Sequence, residues 1–277
     1  MDLTGLEQRT VSIAGLEMHV VLAGTGEPLL LLHGFPDSSK LWRELIPGLV
    51  EFGFRVIAPD QRGFGLTTMP SSVGEYTIAT IAADAIGLLD VLGVTRAALI
   101  GHDWGSIIGW RLAADHPDRF SRFVALSVGH PNALCRSGVR QMSRSWYVAL
   151  FQWRGLAEAL LLADDFLLLR RLTHDEPEIV NWRQDLSRRD RLTAGMNWYR
   201  ANFRELTKAV FPQSSIPVLG IIGSADAALT VEQMTNSGRF APAGFESHVI
   251  EGAGHWLPLH NAAEVERLAV KFLRAPA

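Results

Sequence analysis

The sequence predicts an α/β protein: a mostly parallel, doubly wound sheet, interrupted once by a block of helices. Three observations lead there. Short continuous apolar runs recur along the 277 residues, each bounded by Gly, Pro or Asp, as strands covered on both faces require. Amphipathic helical patterns lie between these runs, and strand–helix alternation builds parallel sheets. Between about residues 132 and 212 the alternation stops.

Taken in order, the first two strands fall around residues 9–13 and 17–23 and are separated only by AGLE. That predicts an antiparallel hairpin at one edge. PLLLLHG at 28–34 and FRVIAPD at 54–60 read as core strands, with a helical pattern in SKLWRELIPGLVEFG between them. In TIATIAADAIGLLDVLG the residues Ile78, Ile81, Ala82, Ala85, Leu89 and Leu92 form one stripe, and Gly93 can end the helix. AALIGH at 97–102 precedes the helical GSIIGWRLAADHP, and RFVALSV at 122–128 is the next strand. The following stretch carries leucine, tryptophan and arginine in helical spacing and reads as a cap or lid over the sheet. PVLGIIG at 217–223 resumes the sheet, SHVIEG at 247–252 is a weaker strand, and AAEVERLAVKFLR closes the chain as a helix. The expected organisation is a discontinuous core, 1–131 with 213–277, and a helical cap at 132–212.

Composition narrows the function classes. A chain that is 48% hydrophobic and 20% charged can bury a large core. Its net charge of −3 gives no basic footprint for nucleic acid or an anionic membrane, so neither is expected as a partner. Cys135 is the only cysteine, which excludes an internal disulfide and a multi-thiolate metal site. The opening MDLTGLEQRTVSIAGLEMHV mixes charges among its apolar residues, unlike a signal peptide, and the apolar runs are too short to span a bilayer. A cytoplasmic setting is the expectation.

The chemistry begins at GHDWGS, 101–106, where a strand meets a helix. Small residues around one reactive side chain suit a strained elbow that presents a nucleophile. Serine usually stands there; this chain has Asp103. Alone, the motif reads equally well as an aspartate capping a helix. Its partners weigh the choice. Asp226 follows one strand in GSAD and His255 follows another in GAGHW, and catalytic groups of such sheets lie at the carboxyl ends of strands. Each alone is ordinary, as a turn acid or a surface histidine. In the order nucleophile, acid, histidine they match α/β-hydrolases. HGFP, from His33 to Pro36, also ends a strand. It reads either as a plain turn or as a loop whose Phe35 N–H, with that of Trp104, forms an oxyanion hole.

Together HGFPDSSKLW, DQRGFG, GHDWGS, GSAD and GAGHW resemble the α/β-hydrolase-fold epoxide hydrolases over nearly the whole chain. The resemblance implies an aspartate nucleophile, Asp103, that opens an epoxide to give an alkyl-enzyme ester. Serine attacks a planar carbonyl; an epoxide carbon is tetrahedral and must be displaced from behind, which an ionised carboxylate can do without a base. Water activated by His255, with Asp226 orienting the imidazole, would then hydrolyse the ester. The family draws two proton-donating tyrosines from its cap. SWYVALFQ resembles the first motif and MNWYR the second, which assigns Tyr147 and Tyr199. Phe35, Pro36, Trp104, Leu150, Phe151 and Trp256 are expected to line an apolar pocket for a small epoxide and water.

Haloalkane dehalogenases share the aspartate and the tryptophan after it, but read HGNP where this chain has HGFP, and they have no need of paired cap tyrosines. A non-catalytic relative that binds a small ligand typically keeps a serine triad. His33, His102, His130 and Tyr76 read as structural, and Asp60 and Arg62 as a loop network. The chain has no metal-ligand spacing and no phosphate loop, so no cofactor is expected.

Overall fold

Leucine- and valine-rich runs pair side by side at the centre of one eight-stranded sheet whose two edge strands are more polar and exposed. The computed structural model describes residues 3–174, 176–208 and 210–275. The strands are β1 (Glu7–Ile13), β2 (Leu16–Ala23), β3 (Glu27–Leu32), β4 (Phe54–Pro59), β5 (Ala97–His102), β6 (Phe120–Leu126), β7 (Val218–Gly223) and β8 (Phe245–Ile250). Their order across the sheet is β1-β2-β4-β3-β5-β6-β7-β8. β2 runs antiparallel to both its neighbours, and every pair from β4 to β8 is parallel. Each residue of β5 and β7 is buried, as continuous apolar runs demand. At the β8 edge burial is poor, which is why SHVIEG gave the weakest signal.

The edge hairpin turns on two residues rather than four. Ala14 and Gly15 have φ of 49° and 84°, the pairing of left-handed residues that matches strand twist in a tight hairpin.

Helices α1 (Ile46–Glu51), α2 (Ile78–Val91) and α3 (Trp104–Asp115) connect the first parallel strands. The helix read over 39–53 divides into a 3₁₀ turn, Ser39–Glu44, and α1. Pro47, which lacks an N–H, sits in the first turn of α1, where that loss costs nothing. Gly93, with φ of 66°, lies just past the end of α2.

Between β6 and β7 the described residues form α4 (Pro131–Cys135), α5 (Gly138–Arg144), α6 (Trp146–Leu150), α7 (Leu156–Leu172), α8 (Ile179–Leu186) and α9 (Arg191–Thr207). α7 is broken at Ala163–Phe166, where Asp164, Asp165 and Phe166 take left-handed backbone angles. After β7 come α10 (Val231–Thr235), α11 (Leu257–His260) and α12 (Ala262–Leu273). Among the described residues no helix is long and apolar enough to cross a membrane.

Candidate active site

The elbow after β5 is sterically forced. Asp103 has φ of 53° and ψ of −119°, outside the common regions for an L-residue. The chain turns so sharply that a Cβ on Gly105 would stand 1.8 Å from the Leu32 carbonyl oxygen. Asp103 precedes α3 but its side chain makes no capping bond to the helix. Instead Oδ1 accepts the Phe35 N–H at 2.8 Å, and the Trp104 N–H is a second donor to the carboxyl.

The histidine and the second acid approach from the other end of the chain. Asp226 lies beyond β7, and its Oδ1 accepts the N–H groups of Ala228 and Leu229, each at 2.9 Å. Its Oδ2 accepts from His255 Nδ1 at 2.8 Å, which leaves Nε2 unprotonated in the neutral ring. Nε2 faces Asp103 Oδ2 at 3.8 Å, beyond hydrogen-bond length but close enough for the two charges to act on each other. All three side chains are buried. Burial alone would pull the His255 pKa down, but the carboxylates of Asp226, Asp103 and Asp37 outweigh it and raise the value to about 9. Burial raises Asp103, against the pull of His255 and the two backbone N–H donors.

Tyr147 of α6 and Tyr199 of α9 close over this group, their rings 6.1 Å apart. Tyr199 packs edge-on against Trp104 at 5.0 Å and against Phe35 at 5.7 Å. Burial, then the Asp103 charge (for Tyr199 the other tyrosine as well), pushes both phenols above their ordinary range, so both stay protonated at neutral pH.

One small cavity, about 50 Å³, brings Asp103, His255, Tyr147, Tyr199, Phe35, Pro36, Phe151 and Trp256 together. Two residues expected in its wall are elsewhere. Trp104 is packed behind Tyr199 and contributes backbone rather than lining. Leu150 is half-buried beside the cavity, because Tyr147 and Phe151, four apart on one helical face, take the inward positions. Leu169, Leu172, Thr173 and Ala228 complete the wall. A second hollow shares the wall of Leu172, Thr173, Ala228, His255 and Trp256 and adds Arg144 and Glu176. A larger groove at the sheet edge is lined by Gln8, His19 and Asp60, but His19 and Asp60 are bonded to each other at 2.9 Å.

Asp37, just after HGFP, is a further buried carboxyl with no sequence signal of its own. It accepts the indole N–H of Trp182 (α8) at 2.8 Å and of Trp256 at 3.1 Å. Burial raises its pKa to about 7 against those two bonds. The four residues left as structural are internally bonded: His33 to Gly34 and Gln61, His102 to the His255 carbonyl, His130 to Asn132 and Pro212, and Tyr76 to Pro70. Among the described residues no cluster of side chains could hold a metal ion.

This arrangement has counterparts. Residues 27–262 match the family described as alpha/beta hydrolase fold. The chain is 32% identical to epoxide hydrolase A of Mycobacterium tuberculosis, over 96% of this chain and 97% of that protein. It belongs to the α/β-hydrolase-fold epoxide hydrolase family. Another member, epoxide hydrolase 2 of Siraitia grosvenorii, is also 32% identical, over 97% of this chain and 98% of its own length. Among solved structures of the family, epoxide hydrolase A from Mycobacterium thermoresistibile superposes with a TM-score of 0.85 at 29% identity, covering 98% of each chain.

Proposed function

We propose that this chain hydrolyses epoxides to vicinal diols through a covalent ester on Asp103. The observation that carries the reading is the pair of protonated tyrosines on the same cavity as a carboxylate whose Oδ1 is held by the Phe35 N–H. In the first step Asp103 Oδ2 attacks an epoxide carbon and the carbon–oxygen bond breaks. The departing oxygen takes a proton from Tyr147 or Tyr199. In the second, His255 removes a proton from water, which adds to the Asp103 carbonyl carbon. The oxyanion forms on Oδ1 beside the Phe35 and Trp104 N–H groups, where fixed donors stabilise it best. Its collapse expels the diol oxygen, which takes the proton held on His255, and the new Asp103 carboxylic acid passes its proton to the tyrosinate, restoring the carboxylate and the phenol.

The charges support this order. In the free enzyme the Asp103 carboxylate helps to hold a proton on His255. Ester formation removes that charge, so the imidazole is freed as a base when the ester needs one.

On this reading residues 132–212 act as a helical cap on a discontinuous core of 1–131 and 213–277, and the substrate is a small apolar epoxide. A cytoplasmic setting belongs to the same reading, on the strength of one cysteine in 277 residues. A haloalkane dehalogenase would use the Trp104 indole on a halide, but here that ring is packed edge-on against Tyr199. A pure binding protein has no use for the set Asp103, Asp226, His255, Tyr147 and Tyr199.

The test is diol formation from racemic styrene oxide, with Asp103→Ala as the control and intact-protein mass on His255→Gln. The expected results are loss of turnover in the first variant and a protein heavier by one substrate in the second. Normal turnover by His255→Gln would refute the two-step route.

A further inference from the structure

One stretch of the helical block is held to the core on one side and carries large exposed apolar side chains on the rest of its surface. Its inner side meets the catalytic loops. Gln141 accepts the Thr230 N–H and donates to the Ala228 carbonyl, each at 2.9 Å. Arg144 donates to the carbonyls of Asp226 and Leu229 at 2.7 and 2.6 Å, and Tyr147 and Phe151 line the cavity. Val139 and Met142 on α5, Trp146 on α6 and Trp153 in the turn that follows have 81%, 70%, 51% and 66% of their surface exposed. Exposed large apolar side chains gathered in one segment mark an interaction surface.

Charge indicates the occupant. Between Ala133 and Ala157 the chain has four arginines, Arg136, Arg140, Arg144 and Arg154, and no acidic residue. Arg136, Arg140 and Arg154 are exposed in the same segment, with the Arg136 guanidinium over the Phe240 ring at 5.6 Å. The acids near this surface do little to offset them. Glu158 is paired with Arg200 at 2.7 Å, and Glu232 stands 3.8 Å from Arg140 with both side chains well exposed. Tryptophan and arginine among exposed apolar side chains suit the boundary between lipid headgroups and acyl chains. The whole-chain charge of −3 averages this local excess away.

We propose that the outer face of residues 138–156 docks on an anionic lipid surface and delivers lipid-dissolved apolar epoxides to the cavity behind it. The delivery rests on the epoxide-hydrolase reading; the docking does not. The face lies on the surface of the bilayer and crosses nothing. It departs from the expectation, drawn from net charge, that the protein has no membrane partner.

The experiment is sedimentation of the full chain with phosphatidylcholine vesicles, with and without phosphatidylglycerol. The expected result is binding only to the anionic vesicles, a blue shift of indole emission, and release at about 0.5 M salt. Trp146→Ser/Trp153→Ser should lower the bound fraction about tenfold and keep its thermal unfolding midpoint and its rate on a water-soluble epoxide. Arg140→Gln/Arg154→Gln should lose the preference for phosphatidylglycerol. No sedimentation with anionic vesicles, or equal sedimentation of parent and tryptophan variant, would overturn the docking. A dimer in sedimentation velocity that the tryptophan variant converts to monomer would assign the face to a second copy instead. Because binding is read without turnover, vesicle binding by a chain inactive on soluble epoxides would fail the hydrolase reading alone.

Discussion

On the proposed route, replacing Asp226 with asparagine should separate the two chemical steps. The carboxylate serves three donors at once: the Ala228 and Leu229 N–H groups on Oδ1, and His255 Nδ1–H on Oδ2. An amide has only one accepting atom. If its oxygen stays with the two backbone N–H groups, its NH₂ faces Nδ1, which must then become the acceptor. The proton moves to Nε2, the atom that should take a proton from water. If the amide flips, its NH₂ points at two backbone donors in a buried site, which is worth on the order of 1–3 kcal/mol, so the wrong tautomer wins. The substitution also removes the partner that does most to hold the His255 pKa at about 9. A wrong histidine tautomer costs about 10⁴-fold in a serine-protease triad, and a loss of that order is expected here in ester hydrolysis. Ring opening needs only an ionised Asp103 and a protonated tyrosine, so it should change by less than about tenfold. Rapid quenching followed by intact-protein mass gives both rates: a burst approaching one ester per chain, then a plateau. Steady-state turnover near the parent rate would refute the assigned role of Asp226. So would an inactive variant with no ester, because the defect would then precede the histidine.

Two more outcomes follow from the same geometry. Tyr147→Phe and Tyr199→Phe should each slow ester formation by about 10²-fold or more, and the double variant should nearly abolish it; a double variant that opens styrene oxide at the parent rate would demote both to packing. His255 also ties folding to pH. Its folded pKa of about 9 stands above the ordinary 6.5, so its added stability is complete below pH 6.5 and fades as pH rises through 9. The gap corresponds to about 3 kcal/mol. Urea unfolding of the parent and of His255→Gln should therefore converge by roughly that amount between pH 6 and 10, and a constant difference would contradict the raised value.

How much of this could be read from residues alone divides along a physical line. Strands buried on both faces write their burial directly into sequence, so β3, β4, β5 and β7 stood out. The elbow was legible because its close contacts admit only glycine at position 105. The wall of the cavity was not. Leu169 and Leu172 look like any helical leucine, and they reach the site only because α7 breaks at Ala163–Phe166. That break falls in ADDF, with no glycine or proline to announce it. Asp37 went unnoticed for a related reason: its partners Trp182 and Trp256 lie 145 and 219 residues away, and no local pattern encodes such a meeting. Phe151 lines the cavity and Leu150 does not, because one position along a helix is a rotation of about 100°.

The two oxygens of Asp103 have different fates on the proposed route. Oδ1 is tied down by the Phe35 N–H, while Oδ2 alone faces His255. Attack by Oδ2 and hydrolysis at the carbonyl carbon send that oxygen out in the diol, and the incoming water supplies its replacement. In isotopically heavy water the first diol released by each molecule would therefore carry a light oxygen drawn from the protein itself. Every later diol would carry an oxygen from water, while Oδ1 stayed light throughout. The backbone N–H that anchors one atom thus makes its neighbour a reagent, consumed and renewed at every turnover.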